Sequence, residues 1–438
     1  MGSDTHHGHR LCPAGRAGWL RRLPAATGCG RAEGRTVMRV LMLSTNFHPV
    51  IGGAESYCRD LAVGLAGRGH DVTVFTAGGG RAPARAVDRG VTVLREQPGR
   101  GDVSAWEHGV FGLLPALARA VRLETVDVVH ANSQDTAVLG SVVSLQHGMP
   151  LVVTSHEVGR EDGPLGRGRG RLVFGQLPVD AYIAVSDYYR RVGAGLGARR
   201  MHRIDLGVDL TRFCPGDTAA ARRRLGIHGD EFVVGCIARF KQRKGLLELT
   251  EAVAKIRSVL PRVRLILAGT TSSASREYAA RVQARITALG LAGRVRIVQD
   301  FGHDQIAELL HVCDVYVQPS HVEGLGLAVV EAMACGVPVI VSDTDGLREV
   351  VAPDVTGLMV PAGDAAGIAE AVLRLAGQPA LRARLVRAGL AEVVNRFSLG
   401  RMVARTDDLY RELIAQRAAT ATVESTDTGW ALAGEVRR

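Results

Sequence analysis

From Met38 onward the chain alternates short apolar, β-branched runs with longer runs of helix formers, and this alternation restricts the fold more than any other property. Met38-Arg-Val-Leu-Met-Leu-Ser44 reads as a clean strand. A turn at Pro49-Val-Ile-Gly52-Gly53 and a helix near residues 54–65 follow. Further strands are expected at 71–76, 91–94, 126–130, 151–154 and 181–185, with helices near 112–122 and 136–147. Strands that alternate with helices join through right-handed crossovers, so the expected fold is α/β with a doubly wound parallel sheet.

A looser stretch, 207–231, containing Pro215-Gly216-Asp217, interrupts the pattern before a second series begins at Phe232. Its strands are expected at 232–238, 264–268, 294–298, 314–320 and 337–341, with helices near 246–257, 276–289, 303–312, 365–375 and 380–394. At 438 residues the chain exceeds one typical domain. Two Rossmann-like domains are therefore expected, over 38–206 and 232–397, joined by a linker at 207–231. A helix over 398–417 is expected to cross back to the first domain, ahead of a flexible tail at 418–438. Residues 1–37 lack periodicity and are rich in Gly, Ala, Arg and Pro, which reads as a disordered leader ahead of a natural start at Met38. His6, His7 and His9 in that leader read as tail residues rather than a metal site.

Composition excludes several classes. The net charge of +10 is spread along the chain without a basic stripe, and aromatics make up only 4%, so a nucleic-acid partner is not expected. The seven cysteines are odd in number and never form Cys-x-x-Cys, which argues for a reducing, cytoplasmic setting and against zinc or a disulfide framework. No run of eighteen apolar residues occurs, which leaves only peripheral contact with the inner face of a membrane.

The chemistry concentrates at His321 to Val339, where a strand, a glycine-containing turn, a helix and a strand succeed one another. In such a unit the turn lies at the carboxyl edge of the sheet, and the first helical N–H groups, from Gly324, Leu325, Gly326 and Leu327, suit an anion. Glu323 lies in the turn and Glu331 about two helical turns further on, so a phosphate there would have a carboxylate on each side. Taken singly, each acid is an ordinary helix-surface residue. Arg239 and Lys244 follow the first strand of the second domain and face the same crevice by the switch-point rule, where they could hold a diphosphate. Gly52-Gly53 would let backbone amides approach a diphosphate from the first domain, and His156 follows a buried strand at its carboxyl end. Asp343-Thr-Asp345 has the spacing of a metal-binding Asp-x-Asp, but that reading is rejected because two acids so spaced are common by chance. The basic loop at 166–171 reads as solvated.

Together these residues resemble the retaining glycosyltransferases of family four, which have the GT-B fold: two Rossmann-like domains facing a central cleft. The resemblance covers residues 38–416 and rests on Gly52-Gly53, Arg239 with Lys244-Gly245, Pro319-Ser320, the Glu-x7-Glu pair Glu323 and Glu331, and Glu331-Ala-Met-Ala-Cys-Gly-Val-Pro338. It implies a nucleoside diphosphate sugar as co-substrate, no metal and no further cofactor, and a hydroxyl acceptor: an envelope glycan or glycolipid, or a small aglycone. It further implies that Glu323 and His156 contact the transferring sugar and that Glu331 accepts from the ribose hydroxyls. Amides of Gly324 to Leu327 with Arg239, Lys244 and Gly53 would hold the diphosphate. The chain departs from the family at Asp205-Leu206-Gly207-Val208-Asp209, where Leu206 replaces an Asn. Residues 106–112 and 161–171 are expected as acceptor-side loops. An epimerase or phosphorylase on the same fold is the alternative.

Overall fold

The structure, a computed structural model, describes residues 36–50, 52–77, 82–96, 106–156, 164–271, 275–299, 301–302 and 305–432. The leader at 1–35, including His6, His7 and His9, and the end of the tail at 433–438 lie outside the described residues.

The first domain runs β1 (Arg39–Ser44), α1 (Gly53–Gly67), β2 (Asp71–Ala77), β3 (Arg85–Asp88), β4 (Val91–Glu96), α2 (Trp106–Ala120), β5 (Val128–Ala131) and α3 (Gln134–His147). It continues through β6 (Leu151–Thr154), α4 (Pro164–Arg171), β7 (Ala181–Ala184), α5 (Asp187–Gly195) and β8 (Met201–Arg203). Its sheet has the order β3-β4-β2-β1-β5-β6-β7-β8. β1 sits between β2 and β5, with Arg39 opposite Asp71 and Val40 opposite Val128. The continuous apolarity of β1 has a direct cause: Val40 and Met42 enter the core on one face, Leu41 and Leu43 the core on the other.

The second domain comprises α6 (Thr218–Leu225), β9 (Phe232–Ile237), α7 (Leu246–Ile256), β10 (Val263–Ala268), α8 (Arg276–Ala288), β11 (Val295–Val298), α9 (Ile306–His311) and β12 (Val315–Gln318). Then come α10 (Leu327–Ala334), β13 (Val339–Ser342), α11 (Asp345–Arg348), β14 (Leu358–Val360), α12 (Ala365–Gly377), α13 (Pro379–Arg396) and α14 (Leu399–Leu432). The strand order β11-β10-β9-β12-β13-β14 reverses direction at β9, as the first sheet does at β1. Each sheet therefore has a crevice above the carboxyl ends of its central strands.

α14 lies against the first domain. An added Cβ at Gly64 of α1 would overlap Val403, and the Tyr410 hydroxyl is 2.5 Å from His130 Nδ1 on β5. The fully buried Asp407 carboxylate meets Arg68 at 2.9 Å, Arg411 at 2.9 Å and His70 Nε2 at 3.3 Å. Burial pushes that carboxyl up, but the charges of Arg411, His70 and Arg68 outweigh it and hold it below its ordinary value.

Several expectations need correction. The first sheet is not wholly parallel, because β3 runs antiparallel to β4. The two residues between them, Arg89 (φ 50°) and Gly90 (φ 87°), form a tight turn with positive φ at both positions, and so short a connection can join only antiparallel strands. Within the expected linker, Asp217 caps α6 through Ala220 N–H (3.0 Å) and Gly226 closes it in the left-handed region. Arg222 of α6 then donates to Val312 O at 3.0 Å, which places the helix in the second domain. The stretches expected as acceptor-side loops are partly helical, since residues 106–112 open α2 and Pro164 begins α4, a position where its fixed φ suits a helix start. Arg169 of α4 is paired with Asp135 at 2.8 Å rather than simply solvated. α14 continues past Gln416 to Leu432 because no proline interrupts it, so the tail expected at 418–438 is helical through 432. Cys58, Cys236, Cys313 and Cys335 are free thiols.

Tyr410 is fully buried and hydrogen-bonded at the interface between α14 and the first domain. Tyr410→Ala should lower stability by about 3–5 kcal/mol, read from urea denaturation of the full chain; a loss within experimental error would show that α14 does not depend on this contact.

Candidate active site

The two crevices face each other across a cleft of about 210 Å³. Gly52, Gly53 and His156 line it from the first domain, and Arg239, Lys244, Glu323, Gly324, Leu325, Gly326, Leu327 and Glu331 from the second. These eleven residues thus line one cavity, although they come from four separate segments of the chain.

Two helices begin at this cleft. α1 starts after Gly52 and α10 after Gly326, and neither has a side-chain cap. Their first N–H groups are left for water or an anion, and the helix dipoles add positive potential at the same place. Gly326 adopts φ 93°, in the left-handed region, and a Cβ there would also collide with Leu347. At Gly53 an added Cβ would meet nothing within 4 Å, so the backbone there is open to the cleft.

Three cations lie on the second-domain wall, beside α10. Arg239 follows β9 and is exposed, Arg243 donates to Val322 O at 3.0 Å, and Lys244 is ion-paired with Glu323 Oε2. A chain of buried donors backs this pair: Tyr316 Oη donates to Gln318 Oε1 (2.6 Å), Gln318 Nε2 to Ser320 Oγ (2.8 Å), and Ser320 Oγ to Glu323 Oε2 (3.2 Å). Burial pushes the Glu323 carboxyl up, but the Lys244 charge and hydrogen bond, with Arg243 and Ser320, outweigh it and hold it below the usual value. Glu323 is therefore a fixed anion at neutral pH.

Glu331 differs. It is 5% exposed, and among the described residues its carboxylate accepts no hydrogen bond. Burial pushes its pKa up to about 8, with Arg212 lowering it in part and Asp60 raising it. An unpaired buried carboxyl facing a cleft is poised to accept hydrogen bonds from hydroxyl groups brought in by a ligand.

His156 Nε2 lies 3.1 Å from Asn132 Oδ1, and Asn132 Nδ2 donates to Ala54 O at 3.1 Å. With the Asn132 nitrogen committed as donor, its oxygen accepts, so Nε2 carries the proton. Burial pushes the His156 pKa down to about 3, which keeps the ring neutral.

Two family models match the chain: Glycosyltransferase Family 4 over residues 51–212 and Glycosyl transferases group 1 over residues 217–391. The D-inositol 3-phosphate glycosyltransferase of Acidothermus cellulolyticus is 31% identical, covering 88% of this chain and 93% of its own length. The chain is a family-four glycosyltransferase. A relative in Corynebacterium glutamicum, the GDP-mannose-dependent monoacylated alpha-(1-6)-phosphatidylinositol monomannoside mannosyltransferase, is 28% identical over 81% of this chain and 93% of its own length. Among solved structures, the sucrose-phosphate synthase of Thermosynechococcus elongatus superposes with a TM-score of 0.77 at 26% identity, over 86% of this chain and all of the other. The Anabaena protein HepE, solved in complex with UDP-glucose, superposes with a TM-score of 0.72 at 23% identity, over 87% of this chain and all of the other, which supports the GT-B fold. The enzyme is thus a transferase of GT-B architecture, and these relatives do not favour the epimerase or phosphorylase alternative.

Sequence reasoning missed part of the cleft. Arg243, Gly269-Thr270 at the end of β10, and Tyr189 also line it, as does Leu206, the residue that departs from the family pattern. Gly269-Thr270 was accessible to the switch-point rule, whereas Tyr189 and Asn132 carry no local signal. Asp343 and Asp345 are taken up by arginine: Arg348 Nη2 donates to Asp343 Oδ2 at 2.9 Å, and Arg191 lies 3.6 Å from Asp345. Among the described residues no group of three or more His, Cys, Asp or Glu is placed to hold a metal ion.

The raised Glu331 pKa has a consequence for stability. Its folded pKa exceeds its unfolded one, so the favourable protonated form is fully present below about pH 4.5 and is lost as pH rises toward 8. Glu331→Gln should therefore stabilise the ligand-free enzyme increasingly from pH 5 to 8, by at most about 5 kcal/mol. Melting curves of both proteins across that range would show it; a pH-independent difference would refute the assignment.

Proposed function

We propose that this transferase moves a sugar from a nucleoside diphosphate sugar to a hydroxyl acceptor, with retention of anomeric configuration and without a metal ion. The observation that carries the reading is the meeting of two uncapped helix starts, at Gly53 and Leu327, with Arg239, Arg243 and Lys244 in one cleft. Such a cleft is complementary to a diphosphate. The backbone amides of Gly324 to Leu327 would take its oxygens, while Arg239 and Lys244 neutralise the charge that builds on it as it leaves. The unpaired Glu331 would accept from the ribose hydroxyls, and Glu323, held ionised by Lys244, would accept from hydroxyls of the transferring sugar. Neutral His156 would contact that sugar from the first domain, and the open backbone at Gly53 would allow close approach to the diphosphate.

In the front-face mechanism the bond from the anomeric carbon to the phosphate oxygen breaks as the acceptor oxygen bonds to the same face. The acceptor proton passes to the departing phosphate. Glu323 is a poor candidate for a covalent nucleophile because Lys244 and Ser320 already occupy its Oε2. The names of the Acidothermus and Corynebacterium relatives both carry an inositol-containing acceptor, which supports an acceptor of the glycan or glycolipid class.

Thermal-shift measurements against a panel of UDP-, GDP- and ADP-sugars should raise the melting temperature with one nucleotide class, by an amount that grows with ligand concentration. Glu323→Ala or Lys244→Ala should lower sugar transfer by about 100-fold or more, with activity insensitive to EDTA in the wild type. Full turnover by either variant would refute the assigned roles, and loss of activity in EDTA would refute the metal-free mechanism.

A further inference from the structure

The turn that carries Glu323 to Gly326 is gripped from the first domain as well as the second. Ser186, the N-cap of α5, accepts from Tyr189 N–H at 3.3 Å and donates its hydroxyl proton to Gly324 O at 2.8 Å. Gly324 has no room for a side chain, since an added Cβ would overlap the Tyr189 ring and hydroxyl. On its other flank the turn rests on α11, where a Cβ at Gly346 would run into the Glu323 and Gly324 carbonyls. Glu349, immediately after α11, reaches back across the domain boundary. Its two carboxylate oxygens accept from Asp187 N–H and Tyr188 N–H, both at 2.7 Å.

The first three N–H groups of α5 are thus satisfied by one side chain of its own domain and one of the other. Glu349 is 13% exposed, and Arg203 of β8 lies 2.9 Å from its Oε2. Arg396 donates to Glu349 O at 2.8 Å and also pairs with Asp205 at 3.1 Å. A carboxylate on a helix start is favoured by the unpaired N–H groups and by the dipole, and here that attraction acts between domains.

We infer that Ser186 and Glu349 are positioning residues: they couple closure of the two domains to the conformation of the Glu323–Gly326 turn and so set how tightly the cleft holds a nucleotide. Neither side chain lines the cleft. Both act through Gly324, whose carbonyl Ser186 fixes and whose flank α11 supports. The inference rests on the sugar-transfer reading for its ligand class, but not for its geometry.

Two variants of the full chain separate this role from simple helix capping. Ser186→Asp retains an N-cap acceptor but cannot donate to Gly324 O, and Glu349→Gln removes the charge and can accept at only one of its two positions. Dissociation constants for UDP, GDP, UDP-glucose and GDP-mannose would be measured by calorimetry, donor hydrolysis without acceptor by product release, and closure by small-angle scattering with and without UDP. Each variant should bind the preferred nucleotide about tenfold more weakly. It should also hydrolyse more donor per bound nucleotide, because the looser cleft admits water, and have a larger radius of gyration than the wild type. Nucleotide affinity and radius equal to wild type in Ser186→Asp would overturn the inference, whatever happens to Glu349→Gln. If the wild type bound none of the four nucleotides, the sugar-transfer reading would fall, while the scattering comparison would still decide whether these residues hold the domains together.

Discussion

Covering both faces of a parallel sheet with helices leaves only the strand ends free to meet solvent and ligand, and the rest of this structure follows from that constraint. In both domains the central strands are buried on both sides, so polar side chains and unpaired helix N–H groups collect where the strand order reverses, at β1 and at β9. A single crevice of this kind is shallow. Two placed face to face make a cleft whose walls supply cations, helix starts and carboxylates from separate parts of the chain.

Holding the crevices opposite each other is the task of contacts outside the cleft lining. α14 leaves the second domain and docks on α1 and β5 through Val403, Tyr410 and the buried Asp407, while Glu349 grips the start of α5. Apart from Val403, these contacts are polar or ionic, and several are buried, so loss of one partner would leave an uncompensated charge or hydrogen-bonding group. The seam thus combines specific polar contacts with a continuous apolar cluster that runs from Leu61 and Tyr189 of the first domain to Leu325, Leu347 and Val403.

Glu323 and Glu331 show how much environment decides. They sit eight positions apart in one motif, yet Lys244 and the Tyr316–Gln318–Ser320 chain keep the first ionised while burial without a partner raises the second to about 8. Under the proposed function the first would meet sugar hydroxyls as a fixed anion. The second would complete its hydrogen bonding only when a ribose arrives, which would make nucleotide binding itself relieve a cost stored in the empty site.

Much of this was legible in the sequence because it is encoded locally. Alternation of strands with helices marked the two doubly wound domains, glycines marked the turns at Gly52-Gly53 and Gly324-Leu-Gly326, and the joint spacing of Arg239, Lys244, Glu323 and Glu331 pointed to one family. What lay beyond the sequence depends on which distant residues meet. The antiparallel β3, the placement of α6 in the second domain, the opposite ionisation of the two glutamates, the hold of Ser186 on Gly324 and that of Glu349 on the start of α5 were decided by tertiary structure. The reason is physical: periodicity and turn chemistry are properties of neighbours in the chain, whereas desolvation, charge pairing and inter-domain hydrogen bonds are properties of neighbours in space.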